Sequence, residues 1–226
     1  MQKFPEYYDD MAIEKNTETQ TQREKIMEGA YALFMKYGIR SVTMDEISAS
    51  MGISKKTVYS HFNDKNNLIY EGTKYLLTQK KAEIKDCIGA DNDVITEMGN
   101  VSKHIRESFQ YMNPTMFYDM KKYYPESWAL FEDFKENVFR QEVIRSLKEG
   151  ISQGYFRSDI DVDVISKLRL ILFDAVLNMD EFSPQEYNMA DLQIKVFDFF
   201  VHGLLTKKGA ERYEKLVDEF KKEQNI

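Results

Sequence analysis

The 226-residue chain has a single cysteine, Cys87, so no internal disulfide can form and stability must come from buried apolar surface. A reducing compartment suits such a chain, and a cytoplasmic location is expected. Prolines number only four, at positions 5, 114, 125 and 184, and glycines ten. Both fall mostly between periodic segments, where helices start or stop. No run of alternating apolar and polar residues reads as a strand. Three histidines (His61, His104, His202), one cysteine and no HExxH or Glu-x-x-His spacing leave no metal site to expect, and no cofactor is called for. The opening MQKFPEYYDDMAIEKN lacks a basic start and an apolar core, so it does not read as a signal peptide. The most apolar stretch, Leu168 to Leu177, is interrupted by Arg169 and Asp174, so no membrane span is expected.

What is present is a helical, globular composition: 42% hydrophobic, 31% charged and 13% aromatic, with a net charge of −7. An acidic chain argues against bulk coating of nucleic acid, although it leaves room for a small basic reading head. The expected fold class is all-α. Thr21 and Glu24 form a capping box at the start of a first helix, Ile26, Ala30, Leu33, Phe34 and Tyr37 share one face of it, and Gly38 ends it. Thr43 and Glu46 repeat the capping box for a short second helix that Gly52 stops. Ser54 caps a third helix, Lys55 to about His61, with Val58 and Phe62 pointing inward. Asn63-Asp64 caps a long fourth helix, and Asp91 to Met112 makes a fifth with Val94, Met98, Val101, Ile105, Phe109 and Met112 on one stripe. Pro114 and Pro125 each sit at a first helical position. A long helix follows Pro125 as far as Ile151. Val164–Met179 and Leu192–Leu205 are apolar nearly all round, which requires burial on two sides. One side can be the chain's own core and the other a second copy. A homodimer interface through Leu168, Ile171, Leu172, Val176, Phe197, Phe200 and Leu204 is therefore expected.

Residues 40–65, RSVTMDEISASMGISKKTVYSHFNDK, meet the physical demands of a helix-turn-helix. Gly52 permits the turn, and Ile47, Ile53 and Val58 can join the two helices. The outward positions carry Lys55, Lys56, Thr57, Tyr59, Ser60 and His61, donors suited to phosphates and base edges in a major groove. Thr43 and Ser54 open two helices whose free amides can face phosphate. From Arg23 to Lys65 seven basic residues stand against five acidic ones, a charge of +2 that leaves −9 elsewhere.

The stretch from Arg23 to Leu68 resembles the DNA-binding head of the TetR family of bacterial regulators. The resemblance rests on KYG (Lys36–Gly38), on TMDEISASMGISKKTVYSHF with its aromatic pair Tyr59 and Phe62, and on the Asn-Asp-Lys turn into the fourth helix. It implies a homodimeric repressor, released from a palindromic operator by a small ligand. It further implies that Thr43 and Ser54 through His61 contact DNA, that Lys65 contacts phosphate, and that the last two long helices pair with their mates in a four-helix bundle. The expected division is an N-terminal arm (1–20), a helix-turn-helix DNA-binding domain (21–68) and a helical regulatory and dimerisation domain (69–226). Phe109, Met112, Met116, Met120, Trp128, Phe131 and Phe173 are candidates for lining a pocket that takes a small apolar effector, because methionine and aromatic side chains adapt to varied apolar shapes. The helix starting near Asn66 is the expected link between head and body.

Two alternatives stand beside this reading: a DNA-binding regulator whose body takes a protein partner, and an enzyme on a helical scaffold. Gly150-Ile151-Ser152-Gln153-Gly154 fits the G-x-S-x-G spacing but lacks the strand before it, and reads as a helix C-terminus with glycine caps. Asp159, Asp161 and Asp163 begin like a calcium loop, but Val164 stands where glycine is required and Leu170 where glutamate is. No enzyme activity is expected.

Overall fold

The computed structural model describes residues 21–87 and 93–223, so the expected arm at 1–20 and the helix start at Asp91 lie outside the described residues. The described residues form eleven α-helices and one π-helical turn, joined by loops. The head comprises α1 (Gln22–Tyr37), α2 (Met44–Ser50) and α3 (Lys55–His61). The long α4 (Lys65–Cys87) leads into α5 (Val94–Phe109), α6 (Thr115–Tyr123) and α7 (Pro125–Phe134). A five-residue π-helical turn, Lys135–Phe139, then joins α7 to α8 (Arg140–Ser152). The remaining helices are α9 (Val162–Leu177), α10 (Met189–His202) and α11 (Lys207–Glu223). Among the described residues no helix is long and apolar enough to cross a membrane.

Local chemistry sets the head's boundaries. Thr21 and Glu24 exchange side chain for backbone across the first turn of α1, and Thr43 and Glu46 do the same for α2. Ser54 Oγ accepts from Thr57 N at 3.0 Å to open α3, and Asp64 accepts from Asn67 N at 2.8 Å to open α4. Pro125 occupies the first turn of α7, whereas Pro114 is the cap residue before α6, one position earlier than expected. The helix expected to run unbroken from Pro125 to Ile151 is interrupted by the π turn, and α11 was not expected at all. Its buried Tyr213 and Leu216, spaced three apart, carry the signal for it.

The head does not close on itself. Its core of Ile26, Ala30, Phe34, Ile39, Ile47, Val58, Phe62, Leu68 and Ile69 is completed by Met116 and Met120 of α6. Polar contacts frame that seam. Asn113 N donates to Met35 O at 2.5 Å, and buried Asp119 accepts from Arg40 N at 3.1 Å. The Arg40 guanidinium lies over the Tyr123 ring, 4.4 Å from its centroid. The other side of the body has its own core, in which Val94, Ile95, Leu147, Phe156, Phe197, Val201, Leu204, Tyr213 and Leu216 bring α5, α8, α10 and α11 together.

Gly38 turns the chain at this seam with φ +82° and ψ 152°, a region that side chains with a Cβ disfavour. A Cβ there would stand 2.6 Å from Thr115 Oγ1. Gly52 is also left-handed, at φ +64°, but has open space around it. Gly38→Ala is expected to destabilise the protein by about 1–3 kcal/mol and Gly52→Ala by about 1 kcal/mol, as read by urea denaturation. Equal losses would show that the Thr115 contact is unimportant.

Candidate nucleic-acid interface and the interior behind it

α2 and α3 are held at their angle by packing and by the turn between them. Ile47 and Val58 are fully buried where the helices meet, with Ile53 packed alongside. Gly52 N donates to Ala49 O at 3.2 Å and Ile53 N to Ser48 O at 3.1 Å, so the turn's own amides are satisfied. The outer surface of α3 is left to Lys55, Lys56, Tyr59 and Ser60, with Thr57 and His61 half-buried beside them. This is the shape of a reading helix, with a supporting helix behind it and polar groups outward.

The candidate contacts differ in how free they are. Lys56 and the 47%-exposed Tyr59 project from the surface, and Lys56 has no ion pair among the described residues. Lys55 Nζ lies 2.6 Å from Asp45 Oδ2 with both groups more than half exposed, and the pair holds its ammonium above the usual lysine range. An exposed pair of this kind is worth little and can be exchanged for a phosphate. The hydroxyls of Thr43, Ser54 and Ser60 are engaged in capping and local backbone bonds, and Thr57 Oγ1 is 2.8 Å from Ser54 Oγ. Lys65 is turned inward. Its Nζ donates to Ile39 O at 2.5 Å and lies 5.8 Å from the centre of the Phe34 ring. Burial pulls that ammonium below the usual lysine range, against the raising influence of Asp119 and Glu46. In this geometry Lys65 ties the loop after α1 to the start of α4.

The seven expected pocket residues divide into three groups. Phe109, Phe131, Phe173 and Trp128 do assemble, and Phe117 and Phe139 join them. The ring centroids run Trp128–Phe131 at 5.2 Å, Phe117–Phe131 at 5.1 Å, Phe131–Phe173 at 6.5 Å, Phe109–Phe173 at 6.1 Å and Phe139–Phe173 at 5.6 Å. Met112 lies at one side, packed with Val176, Met189 and Leu192. Met116 and Met120 face the head instead, because they occupy the face of α6 that seals the head's core. Lys135 caps the aromatic cluster from the π turn, its Nζ 2.6 Å from Asp174 and 3.0 Å from Glu132.

The expected dimer face also needs correction. Val176, Phe197, Phe200 and Leu204 are buried within one copy, because α9 and α10 turn those sides toward the protomer's own cores. Leu172 is half-buried. The apolar side chains left exposed are Val164, Leu168 and Ile171 on α9, at helical spacing, and Phe199 on α10, which is 78% exposed. Val164 and Phe199 escaped the sequence reading because a helix that is apolar all round does not reveal which side its own core covers. Ser152 sits at the C-terminal turn of α8, its hydroxyl donating to Glu149 O at 2.8 Å, and Gly154 follows at φ +72°, the geometry of a helix end. Asp161 caps α9, and Asp163 pairs with Arg140 and Lys167.

Residues 26–71 match the sequence model of the bacterial regulatory proteins of the tetR family. The head is that of a TetR-family regulator. The HTH-type transcriptional repressor KstR2 of Mycobacterium tuberculosis is 24% identical over 148 residues, covering 64% of this chain and 74% of that protein. A regulatory protein TetR from Rhodobacter sphaeroides superposes with a TM-score of 0.68 at 12% identity, covering 80% of this chain and 98% of that one. A transcriptional-regulator structure from Saccharomonospora viridis in complex with choline gives 0.64 at 18% identity, covering 82% and 98%. With this kinship the head is the DNA-binding part of a TetR-like repressor.

Lys56→Ala is expected to weaken binding to operator and to random DNA alike, reducing the salt slope by about one phosphate contact. Lys65→Ala is expected to act chiefly on stability, because it leaves the Ile39 carbonyl without its donor. Salt titrations on both DNAs and a thermal melt separate the two. A full-sized phosphate effect from Lys65→Ala with an unchanged melt would reverse the assignment.

Proposed function

We propose that the regulator works as a homodimer whose two α3 helices read a palindromic operator and whose aromatic interior takes a small, largely apolar effector that releases it. The observation that carries this reading is the double role of α6. One face inserts Met116 and Met120 into the head's core, and the other places Phe117 against Phe131 in the aromatic cluster. α7 continues the same arrangement. Trp128 packs against the head's core and also stacks with Phe131. An effector that spreads the rings would move α6 and α7, and the seam with the head would have to follow, because close-packed interfaces adopt discrete arrangements rather than stretching. α4, which shares Leu68 and Ile69 with the same core, is the second connection.

Val164, Leu168, Ile171 and Phe199 supply the surface for pairing two copies through α9 and α10, as their exposure on a water-facing side is otherwise unfavourable. Two heads held in this way must meet half-sites about 34–36 Å apart, or a multiple of that. An effector that favours a different spacing lowers operator affinity by its differential preference for the two forms, typically about 5- to 150-fold. On this reading the domains are the head through Leu68 and the body beyond it, joined by a shared core, and the choline complex of the S. viridis structure supports a fold that accommodates small molecules.

Phe199→Glu is expected to yield folded monomer in sedimentation, because the charge enters a surface exposed in the single copy. Phe197→Glu is expected to unfold the chain, since an unpaired buried charge costs several kcal/mol, on the order of the whole stability margin. A Phe199→Glu dimer would refute this pairing face. For the effector, binding is followed by quenching of Trp128, the only tryptophan, and each binder is then titrated against operator. Binders that leave operator affinity unchanged would favour a body that responds to a protein partner.

A further inference from the structure

Arg169 interrupts the apolar sequence of α9, and the fold buries it, leaving it 2% exposed. Its guanidinium faces three rings, 5.5 Å from the centroid of Phe139, 5.2 Å from that of Phe197 and 5.8 Å from that of Phe200. Ring faces attract a cation but accept hydrogen bonds poorly, and Nη1 has no hydrogen-bond partner among the described residues. Burial alone pulls the guanidinium down to about 10, which still leaves it charged at neutral pH. The carboxylates carried by α9 and α10 are engaged elsewhere. On α9, Asp163 holds Arg140 and Lys167, and Asp174 holds Lys135. On α10, Asp191 faces Arg106, and Asp198 accepts from the Tyr213 hydroxyl. The contrast with Lys135 is direct, since that buried cation has two carboxylates and Arg169 has none among the described residues.

A second orphan lies close by. Gln193 of α10 is fully buried, and its Oε1 has no partner among the described residues. Its Nε2 reaches the Phe173 carbonyl at 3.5 Å, and flipping the amide would set two acceptors against each other, so the oxygen is the free end. Phe173 packs on Phe139, whose ring also faces Arg169. An unpartnered guanidinium nitrogen and an unpartnered amide oxygen therefore border one edge of the aromatic cluster, beside a π turn, a distortion that recurs at functional sites. Burying both unmatched costs the fold, and a ligand that matches them recovers that cost.

We propose that the effector is an amphipathic anion: a carboxylate or similar acid on an aromatic or alkyl body, its negative group paired with Arg169 and a donor group of its own on Gln193. The inference rests on the effector-sensing reading above and narrows its ligand class. A carboxylate of a second copy is not an alternative partner, because Arg169 is enclosed within its own protomer and α9 exposes Val164, Leu168 and Ile171 instead.

The test uses matched probes on the full-length protein, both members of each pair carrying a hydroxyl donor: 3-hydroxydecanoate with decane-1,3-diol, 6-hydroxy-2-naphthoate with 6-(hydroxymethyl)-2-naphthol, and 4-hydroxycinnamate with 4-hydroxycinnamyl alcohol. Binding is read by Trp128 fluorescence and by melting temperature. The acids are expected to bind about 10- to 100-fold more tightly than their alcohols, the range for hydrogen bonds to a charged group. Arg169→Met is expected to abolish that preference, so that each acid binds no more tightly than its alcohol, and to raise the melting temperature of the ligand-free protein. A merely structural arginine would lower it. Acids that bind no better than alcohols, or a preference that survives Arg169→Met, would overturn the inference, and the comparison on the unmodified protein decides it even if the variant fails to fold. Operator release by alcohols alone would overturn it while leaving the sensing role intact. Acid binding that requires Arg169 but never releases operator would instead uphold the site and refute the sensing role.

Discussion

The structure depends on the insertion of two methionines from the body into the core of the head. A head of three short helices buries too little surface to stand firmly alone, and Met116 and Met120 of α6 fill what α1, α2, α3 and the start of α4 leave open. Methionine suits this position. Its unbranched side chain adapts to a seam that must hold in more than one arrangement. The polar frame around it, Arg40 with Asp119 and Asn113 with Met35, adds direction to a contact that burial alone would leave loosely specified. The consequence is that the reading helix cannot be indifferent to the position of α6, and α6 cannot be indifferent to the rings on its other face.

The interior behind that seam is graded in polarity. At the end nearer the head it is aromatic and apolar, with Trp128, Phe131 and Phe117. Lys135 borders it with its charge paired to Asp174 and Glu132, while Arg169 Nη1 and Gln193 Oε1 border it without a hydrogen-bond partner among the described residues. Under the proposal above, this asymmetry would orient a ligand. The apolar part of the molecule would lie toward the rings that touch α6 and α7, and its acid toward α9 and α10, the helices that carry the exposed Leu168, Ile171 and Phe199. One bound molecule would then touch the elements that set the state of the head and those that set the geometry between copies.

Local interactions made the head legible in the sequence. Both capping boxes, the Ser54 cap, the Gly38 and Gly52 stops and the buried Ile47, Val58 and Phe62 depend on residues a few positions apart, and the structure has each of them. What could not be read depends on which side of a helix meets which neighbour. Met116 and Met120 look like pocket residues by composition, yet they face the head because Asn113 and Asp119 fix the rotation of α6. Phe197 and Phe199 are indistinguishable by hydropathy, and the first is 3% exposed while the second is 78% exposed. The π turn has no sequence signature. Arg169 did have one, a lone cation within an apolar run, but from sequence alone it served only to argue against a membrane span.

The central claim is that the state of the aromatic interior reaches the reading helices through the seam at α6. It is tested most directly by measuring the distance between the two heads of a dimer with spin labels at Lys25→Cys, an exposed position of α1 outside the candidate DNA contacts, in a chain carrying Cys87→Ser, by pulsed electron paramagnetic resonance. The account predicts a separation matching operator half-sites in the DNA-bound protein and a displaced or broadened distribution once a releasing ligand binds. It also predicts that Met120→Ala, which loosens the seam, reduces that ligand-driven change. A ligand that abolishes operator binding while the distance distribution stays the same would contradict the account.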